Sequence, residues 1–100
     1  MNMNPSLQVH FAGISLATPL VLLSGCAGFG EELLALDDFD FSCIGALCLK
    51  GTTLEPRRGN PPPRLAETPS GLLNAIGLQN PGARHVVEQI LPRITPFPTR

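Results

Sequence analysis

The chain has 100 residues, of which 43% are hydrophobic and 15% are charged, and its formal net charge is −1 at pH 7. The apolar fraction excludes a disordered tail, and the 10 Gly and 11 Pro residues exclude a coiled coil. The small net charge argues against a dedicated nucleic-acid binder, because such a protein usually carries a large positive charge.

The first half of the chain predicts a hairpin followed by a strand–helix–strand unit. Apolar and polar residues alternate on both sides of an Ala-Gly turn, which predicts a short β-hairpin over residues 7–16. An apolar run that ends in glycines, followed by acidic residues and helically spaced leucines, predicts a strand buried on both faces and a short helix over residues 19–38. A second strand of the same kind is predicted over residues 43–50, and its last residue, Lys50, is the first cation of the chain.

The second half predicts a long loop and one helix. Residues 51–80 are predicted as loop, because a run of three prolines excludes regular structure and mostly small or polar residues follow. Asn80-Pro81 predicts the start of a helix over residues 81–91, with the asparagine as its N-cap. Pro92 is expected to end or bend that helix.

The order of these elements predicts the fold class. Alternating strands and helices are typical of an α/β fold with a parallel sheet. Two buried strands are too few for a stable sheet of this kind, and a (β/α)8 barrel needs about 250 residues. The sequence therefore predicts the amino-terminal portion of a (β/α)8 TIM barrel, preceded by a short β-hairpin and incomplete in this chain.

The three cysteines do not predict a disulfide framework or a metal site, because their number is odd and their spacing is not that of zinc ligands. Cys43 and Cys48 have apolar neighbours and are predicted to be reduced, buried thiols. Cys26 ends a sequence similar to a lipoprotein cleavage box. A signal peptide requires a positively charged amino-terminal region, but no Lys or Arg precedes Lys50. No apolar run approaches the roughly 18–20 residues of a membrane-spanning helix. A cytoplasmic protein is predicted, with export as the weaker alternative.

Two segments suited to ligand binding follow the two predicted strands. Residues Ser24 to Gly30 contain three glycines, which let a flat ligand or a phosphate approach the backbone. Lys50 and Gly51 follow the second strand, and the carboxyl ends of parallel strands face one ligand site in α/β folds. The lysine is expected to stabilise a reduced flavin or to hold an anionic substrate. A plain turn and a surface lysine are the alternatives.

Residues 74–80 form a predicted loop with side-chain amides. Asn74 offers a donor and an acceptor that suit the edge of a pyrimidine dione, and a turn-forming role is the alternative. The two histidines have no partner at a meaningful spacing and are predicted to be surface or packing residues: His10 and His85. Three arginines without aromatic neighbours are expected to pair with acids or to hold a subunit contact: Arg57, Arg58 and Arg64.

Five sequence blocks, in this order, together resemble dihydroorotate dehydrogenase between about residues 7 and 92. They are Ser24-Gly-x-x-Gly-Phe-Gly, Lys50-Gly-Thr-Thr-Leu-Glu-Pro-Arg, Gly59-Asn-Pro-Pro-Pro-Arg, Glu67-Thr-Pro-x-Gly and Asn74-Ala-Ile-Gly-Leu-Gln-Asn-Pro-Gly. Each block alone is a weak indication of this family, whereas five blocks in this order are a specific one. The lysine block and the Gly-Asn-Pro-Pro-Pro-Arg run resemble the class 1B catalytic subunit of that family.

The resemblance implies an FMN-dependent oxidoreductase that converts dihydroorotate to orotate in pyrimidine (UMP) biosynthesis. It also implies a cytoplasmic homodimer that passes electrons to NAD through a partner subunit carrying FAD and an iron–sulfur cluster. Carried over by position, it implies these FMN-binding residues: Ser24, Gly25, Lys50 and Gly51. It implies these substrate-binding residues: Lys50, Asn74, Ala75, Ile76, Gly77 and Leu78.

The resemblance also implies functional parts outside this chain. The family has a cysteine base on a later loop, beyond Arg100, so no residue of this chain is assigned as a catalytic acid or base. Residues 94–100 are expected to depart from the family pattern. The chain is expected to be an amino-terminal fragment that has no activity alone. The alternatives are a truncated product without function and a related FMN barrel that acts on another pyrimidine.

Overall fold

The first element of the computed structural model, which describes residues 7–95, is a β-hairpin. Strands β1 (Val9–Phe11) and β2 (Ile14–Leu16) pair antiparallel, with Val9 opposite Leu16. The turn between them is Ala12-Gly13, and both of its residues have a positive φ, 49° and 80°. This hairpin lies within the range predicted from the alternating pattern of residues 7–16.

A parallel strand pair follows the hairpin. Strands β3 (Val21–Leu22) and β4 (Ala46–Leu47) are paired in parallel, and helix α1 (Glu31–Leu34) and a 3-10 turn (Phe41–Cys43) connect them. Both strands are much shorter than predicted and half-buried, so the expectation of strands buried on both faces is wrong for the described residues. The side chains of Leu20 and Leu23 flanking β3 are 58% and 63% exposed. A strand is buried only where other elements cover it, and residues 7–95 supply only one strand neighbour for each.

The approach of β3 to β4 depends on a threonine and a glycine. The Thr18 hydroxyl is buried and donates a hydrogen bond of 2.8 Å to the carbonyl of Cys43. The backbone N–H of Gly45 donates to the Leu20 carbonyl at 2.8 Å. A Cβ atom on Gly45 would overlap the Thr18 carbonyl oxygen, so this register requires glycine at position 45.

The 3-10 turn before β4 begins at an aspartate cap. The N–H of Ser42 donates to Oδ1 of Asp40 at 2.9 Å. Hydrogen bonds from the side chain and the backbone of Ser42 hold the pKa of the Asp40 carboxyl below its usual range. The cap therefore fixes the chain direction just before the second strand.

The cysteines of this region are exposed, which corrects one prediction. Cys43 and Cys48 were expected to be buried, but both are exposed, as is Cys26. Apolar neighbours in the sequence indicate a core position only if another element packs over that face. None of the described elements covers these two thiols.

A second antiparallel hairpin occupies part of the predicted 51–80 loop. Strands β5 (Leu65–Thr68) and β6 (Gly71–Asn74) pair with Leu65 opposite Asn74. Leucines occur on both faces of this hairpin and nearly all of its residues are exposed, so no alternating pattern marks it in the sequence. The prediction of loop is wrong here because backbone pairing, rather than burial, defines these strands.

The last described element is a helical stretch over residues 83–94. It consists of α2 (Ala83–His85), a π-helical segment (Val86–Ile90) and α3 (Leu91–Ile94). The stretch begins later than predicted, because Gly82 has a φ of 87° and is the N-cap. It also extends beyond Pro92, which lies in the first turn of α3, where a missing backbone N–H is tolerated.

The small hydrophobic core joins this helical stretch to the ends of the parallel strands. Val86, Ile90 and Ile94 are buried, and the half-buried Phe29 and Leu49 pack against them. An exposed ion pair of 3.1 Å between Arg93 and Glu31 also links α3 to α1, and such surface pairs contribute little, about 0–1 kcal/mol. The helical stretch thereby orients the segments that follow β3 and β4. Within residues 7–95, every helix is too short or too polar to cross a membrane.

Candidate functional site

The segments that follow β3 and β4 lie side by side. The N–H of Cys48 donates to the Leu22 carbonyl at 2.8 Å, which continues the parallel pairing beyond the strands. The N–H of Lys50 donates to the Gly28 carbonyl at 2.9 Å. Because of this second bond, the lysine lies beside the glycine-rich turn of residues 24–30.

The glycine-rich turn exposes its backbone on one side. The N–H of Cys26 donates to the Leu23 carbonyl at 3.1 Å, and Gly30 donates to Ala27 at 2.9 Å, so the chain makes two consecutive turns. A Cβ atom placed on Gly25 or Gly28 would meet no atom within 4 Å. Ser24 and Gly25 are both exposed, and the space above this backbone is open.

Lys50 is half-buried and lies at the edge of a cleft. Among residues 7–95, no carboxylate forms an ion pair with its ammonium group. An open cleft of about 480 Å³ lies beside it. The cleft is lined by Phe29, Lys50, Pro56, Arg57, Arg58, Gln79, Asn80 and Pro81. A lysine without a carboxylate partner at the edge of a cleft is suited to bind an anionic group.

The predicted substrate loop is joined to the lysine segment at one point. A Cβ atom on Gly51 would lie 3.0 Å from Cδ1 of Leu78, so the Leu78 side chain packs directly against the Gly51 backbone. The two predicted sets of residues, those for FMN and those for substrate, therefore meet at Gly51 and Leu78.

Three hydrogen bonds join the predicted substrate loop to the 57–60 segment. The backbone N–H of Asn60 donates to the Ile76 carbonyl and its side-chain amide donates to the Ala75 carbonyl, both at 2.8 Å. Nε of Arg57 donates to the Gly77 carbonyl at 2.8 Å. The carbonyls of residues 75–77 thus face the 57–60 segment.

Three of the other predicted site residues, Ser24, Gly25 and Asn74, are exposed. Asn74 is the last residue of β6, and the N–H of Ala75 beyond it donates to the Arg64 carbonyl at 2.9 Å. Within residues 7–95, no hydrogen bond joins the side chains of Asn74 or Ser24 to Lys50. The structure therefore brings together Lys50, Gly51 and Leu78, and leaves Ser24, Gly25 and Asn74 on the surface around them.

Two arginines and one asparagine have roles that the sequence did not predict. Nε of Arg57 donates to the Gly77 carbonyl and Arg64 donates to Oε1 of Gln79. Within residues 7–95 neither arginine forms the expected ion pair with an acid, and the alternative of a subunit contact stays a prediction. Asn80 is not the helix N-cap, because that position is Gly82; its side chain accepts hydrogen bonds from the N–H groups of Thr53 and Gly82 and donates to the Leu78 carbonyl. Its place before a proline and a glycine is a turn signal that was available in the sequence.

The histidines take no part in this site. Nδ1 of His10 lies 2.9 Å from the Ser15 hydroxyl across the first hairpin, and His85 is exposed on α2. In the part of the chain that the structure describes, no three His, Cys, Asp or Glu side chains are grouped to bind a metal.

Comparison with known proteins identifies a family that covers nearly the whole chain. The family model described as dihydroorotate dehydrogenase matches residues 6–99. The match extends through the 94–100 region up to residue 99, so the expected departure from the family pattern there is wrong. Residues 96–100 lie outside the part that the structure describes.

Curated relatives and a solved structure agree with this match. The chain is 53% identical over 93 residues to the dihydroorotate dehydrogenase B (NAD(+)) catalytic subunit of Bacillus pumilus (strain SAFR-032), covering 93% of this chain and 29% of that protein. The subunit of the same name from Bacillus caldolyticus is 53% identical over 91 residues, covering 91% and 28%. A crystal structure of the Eimeria tenella enzyme DHODH in complex with ferulenol matches with a TM-score of 0.63 and 25% identity, covering 92% and 23%. The chain thus spans less than a third of the length of the curated relatives it matches.

Proposed function

The chain belongs to the dihydroorotate dehydrogenase family, and from that premise we propose that it is the first part of a (β/α)8-barrel catalytic subunit that oxidises dihydroorotate to orotate. The family match over residues 6–99 supports the reaction class. The identity of about half to several B-type catalytic subunits supports the class 1B assignment. The parallel β3–β4 pair, with an intervening helix, supports the barrel architecture.

The position of Lys50 is the observation that carries this proposal. Its backbone is bonded to the glycine-rich turn at Gly28, and the adjacent Gly51 contacts Leu78 of the substrate loop. Its ammonium group has no carboxylate partner among the described residues. In the proposal, this one cation interacts with both the flavin and an anionic substrate.

The glycine-rich turn fits FMN. Ser24 and Gly25 are exposed, and a Cβ atom on Gly25 or Gly28 would meet no atom within 4 Å, which supports the close approach of a flat ring. Lys50 and Gly51 complete the proposed FMN-binding set. When bound, FMN supplies the hydride acceptor of the reaction.

The substrate is proposed to lie between Lys50 and the 74–78 loop. The exposed amide of Asn74 offers the donor and acceptor that a pyrimidine ring edge needs. The loop residues proposed to contact it are Asn74, Ala75, Ile76, Gly77 and Leu78. The Lys50 ammonium is proposed to pair with the negative charge of dihydroorotate. No proton-transfer role is assigned to a residue of this chain.

The remaining elements of the proposal concern location and partners. A cytoplasmic homodimer is proposed, with electrons passing to NAD through a second subunit that carries FAD and an iron–sulfur cluster. The words "B (NAD(+)), catalytic subunit" in the names of the relatives support a second subunit and a role for NAD.

The proposal is tested on the complete subunit that contains this sequence. The purified subunit is expected to contain FMN, and dihydroorotate added without oxygen is expected to bleach the flavin absorbance and yield orotate. A subunit that lacks flavin contradicts the cofactor assignment. A flavin that another dihydropyrimidine reduces, while dihydroorotate does not, contradicts the substrate assignment.

A further inference from the structure

The buried amide of Asn80 joins three segments around the candidate site. The residue is only 6% exposed. Its Oδ1 accepts hydrogen bonds from the backbone N–H groups of Thr53 at 3.1 Å and Gly82 at 3.0 Å. Its Nδ2 donates to the Leu78 carbonyl at 2.9 Å and to the Thr53 hydroxyl at 3.0 Å. One side chain thus links the segment after Lys50, the end of the substrate loop and the start of α2.

The backbone of Asn80 is held separately from its side chain. Asn80 and Arg57 exchange two N–H···O=C bonds of 2.9 Å in an isolated antiparallel bridge. This bridge fixes the peptide at position 80 against the 53–57 segment. The side-chain amide is therefore not needed for this bridge, and it donates a hydrogen bond to the Leu78 carbonyl.

Leu78 has a backbone conformation that needs such support. Its φ is 57°, in the left-handed region that is unfavourable for a residue with a branched side chain. In this conformation its Cδ1 lies against Gly51. The hydrogen bond from Asn80 to the Leu78 carbonyl stabilises the conformation, which in turn sets the position of the substrate loop relative to Lys50.

We infer that Asn80 is a positioning residue for substrate, which acts by holding Leu78 against the Lys50–Gly51 segment. The inference rests on the proposed function, because the 74–78 loop binds substrate only if that function is correct. Asn80 itself touches neither FMN nor substrate in this assignment. A role as helix cap does not account for the contacts, since Gly82 is the N-cap and no side chain caps the helix.

The test compares two substitutions in the complete, FMN-loaded subunit. Asn80→Asp keeps the size and the acceptor oxygen, but it places an oxygen where Nδ2 donates to the Leu78 carbonyl. Asn80→Ser is smaller and removes the bond to Leu78 without adding a charge. Both are expected to weaken orotate binding and to raise KM for dihydroorotate by about tenfold, with a smaller change in kcat.

A matched control removes an amide from the same region. Gln89 is exposed on the π-helical segment, and Gln89→Ala is expected to leave orotate affinity and KM unchanged. Flavin content and melting temperature are measured for every variant. A general loss of structure lowers both, whereas a positioning effect changes orotate affinity at constant flavin content.

Each result decides for or against the assignment. Orotate affinity within twofold of the unaltered subunit, in either folded variant, overturns it. Failure of both variants to fold or to retain FMN also overturns it, because Asn80 is then a structural residue. If Asn80→Asp alone fails to fold, Asn80→Ser decides. An unaltered subunit that holds FMN but does not bind orotate refutes the proposed function instead, so the two failures are distinguishable.

Discussion

Lys50 meets two segments that come from distant parts of the chain. Its N–H donates to Gly28, and the next residue, Gly51, contacts Leu78. The residue is half-buried, and within residues 7–95 its ammonium group has no carboxylate partner. Partial desolvation of a cation is unfavourable unless an anion compensates it. At the scale of single residues, this uncompensated charge is the clearest indication of a ligand.

Replacement of the lysine tests this indication. In the complete subunit, Lys50→Ala is expected to lower kcat/KM for dihydroorotate by about 100-fold and to weaken orotate binding, because a donor aimed at developing charge is lost. Steady-state kinetics and an orotate titration measure both effects. Arg84→Ala, which removes an exposed cation from α2, is expected to change neither. Kinetics and binding equal to those of the parent would remove Lys50 from the site.

At the scale of elements, the proposed substrate loop, residues 74–78, takes its shape from contacts with the 57–60 segment. Arg57 and Asn60 bind the carbonyls of residues 75–77. Gly77 has a φ of 80°, and a Cβ atom there would lie 2.7 Å from the backbone nitrogen of Asn60. Only glycine permits this close and left-handed arrangement, so position 77 is sensitive to any side chain.

A pair of glycine substitutions tests the tightness of this packing. Gly77→Ala is expected to destabilise the complete subunit by about 1–2 kcal/mol from the backbone conformation alone, with a further loss of orotate affinity as the loop moves. Gly71→Ala is the matched control in β6, because a Cβ atom there would meet nothing within 4 Å. Thermal melting and orotate titration of both variants are the measurements. Equal melting temperatures for the two would contradict the tight contact.

At the scale of the whole molecule, the core is small and the surface is apolar. Only five apolar residues of the described part are buried: Leu16, Ile44, Val86, Ile90 and Ile94. Large side chains such as Leu54, Phe11 and Leu72 are more than two-thirds exposed. The radius of gyration is 16.0 Å, whereas a compact domain of this length has about 13 Å. A chain of this kind gains little free energy of folding from burial.

The isolated 100-residue chain is therefore expected to fold poorly. It is expected to bind a hydrophobic dye, to associate through its exposed leucines and strand edges, and to melt without a cooperative transition. Calorimetry and size-exclusion chromatography check these expectations. A sharp, reversible melt of a monomer would show that the described contacts are sufficient for stability.

Local sequence was sufficient to predict the structural features that depend only on neighbouring residues. The Ala12-Gly13 turn predicted the first hairpin, and the apolar runs before Ser24 and Lys50 located the two parallel strands, although not their length. The five sequence blocks that resemble dihydroorotate dehydrogenase were not needed to predict these elements. Their order predicted the family, which the match over residues 6–99 confirms. Turn chemistry and hydrophobic patterns act over a few residues, so they can be read directly.

By itself, then, the sequence determined the first hairpin, the strand–helix–strand unit that follows it, and the family. Only the tertiary structure decided which distant groups meet. The Asn80 amide bonds to Thr53, 27 residues away, and Arg57 bonds to Gly77, 20 residues away. It also decided that Cys43 and Cys48 are exposed. The physical reason is that burial and long-range hydrogen bonds depend on which elements lie opposite each other in space, and no local pattern contains that information.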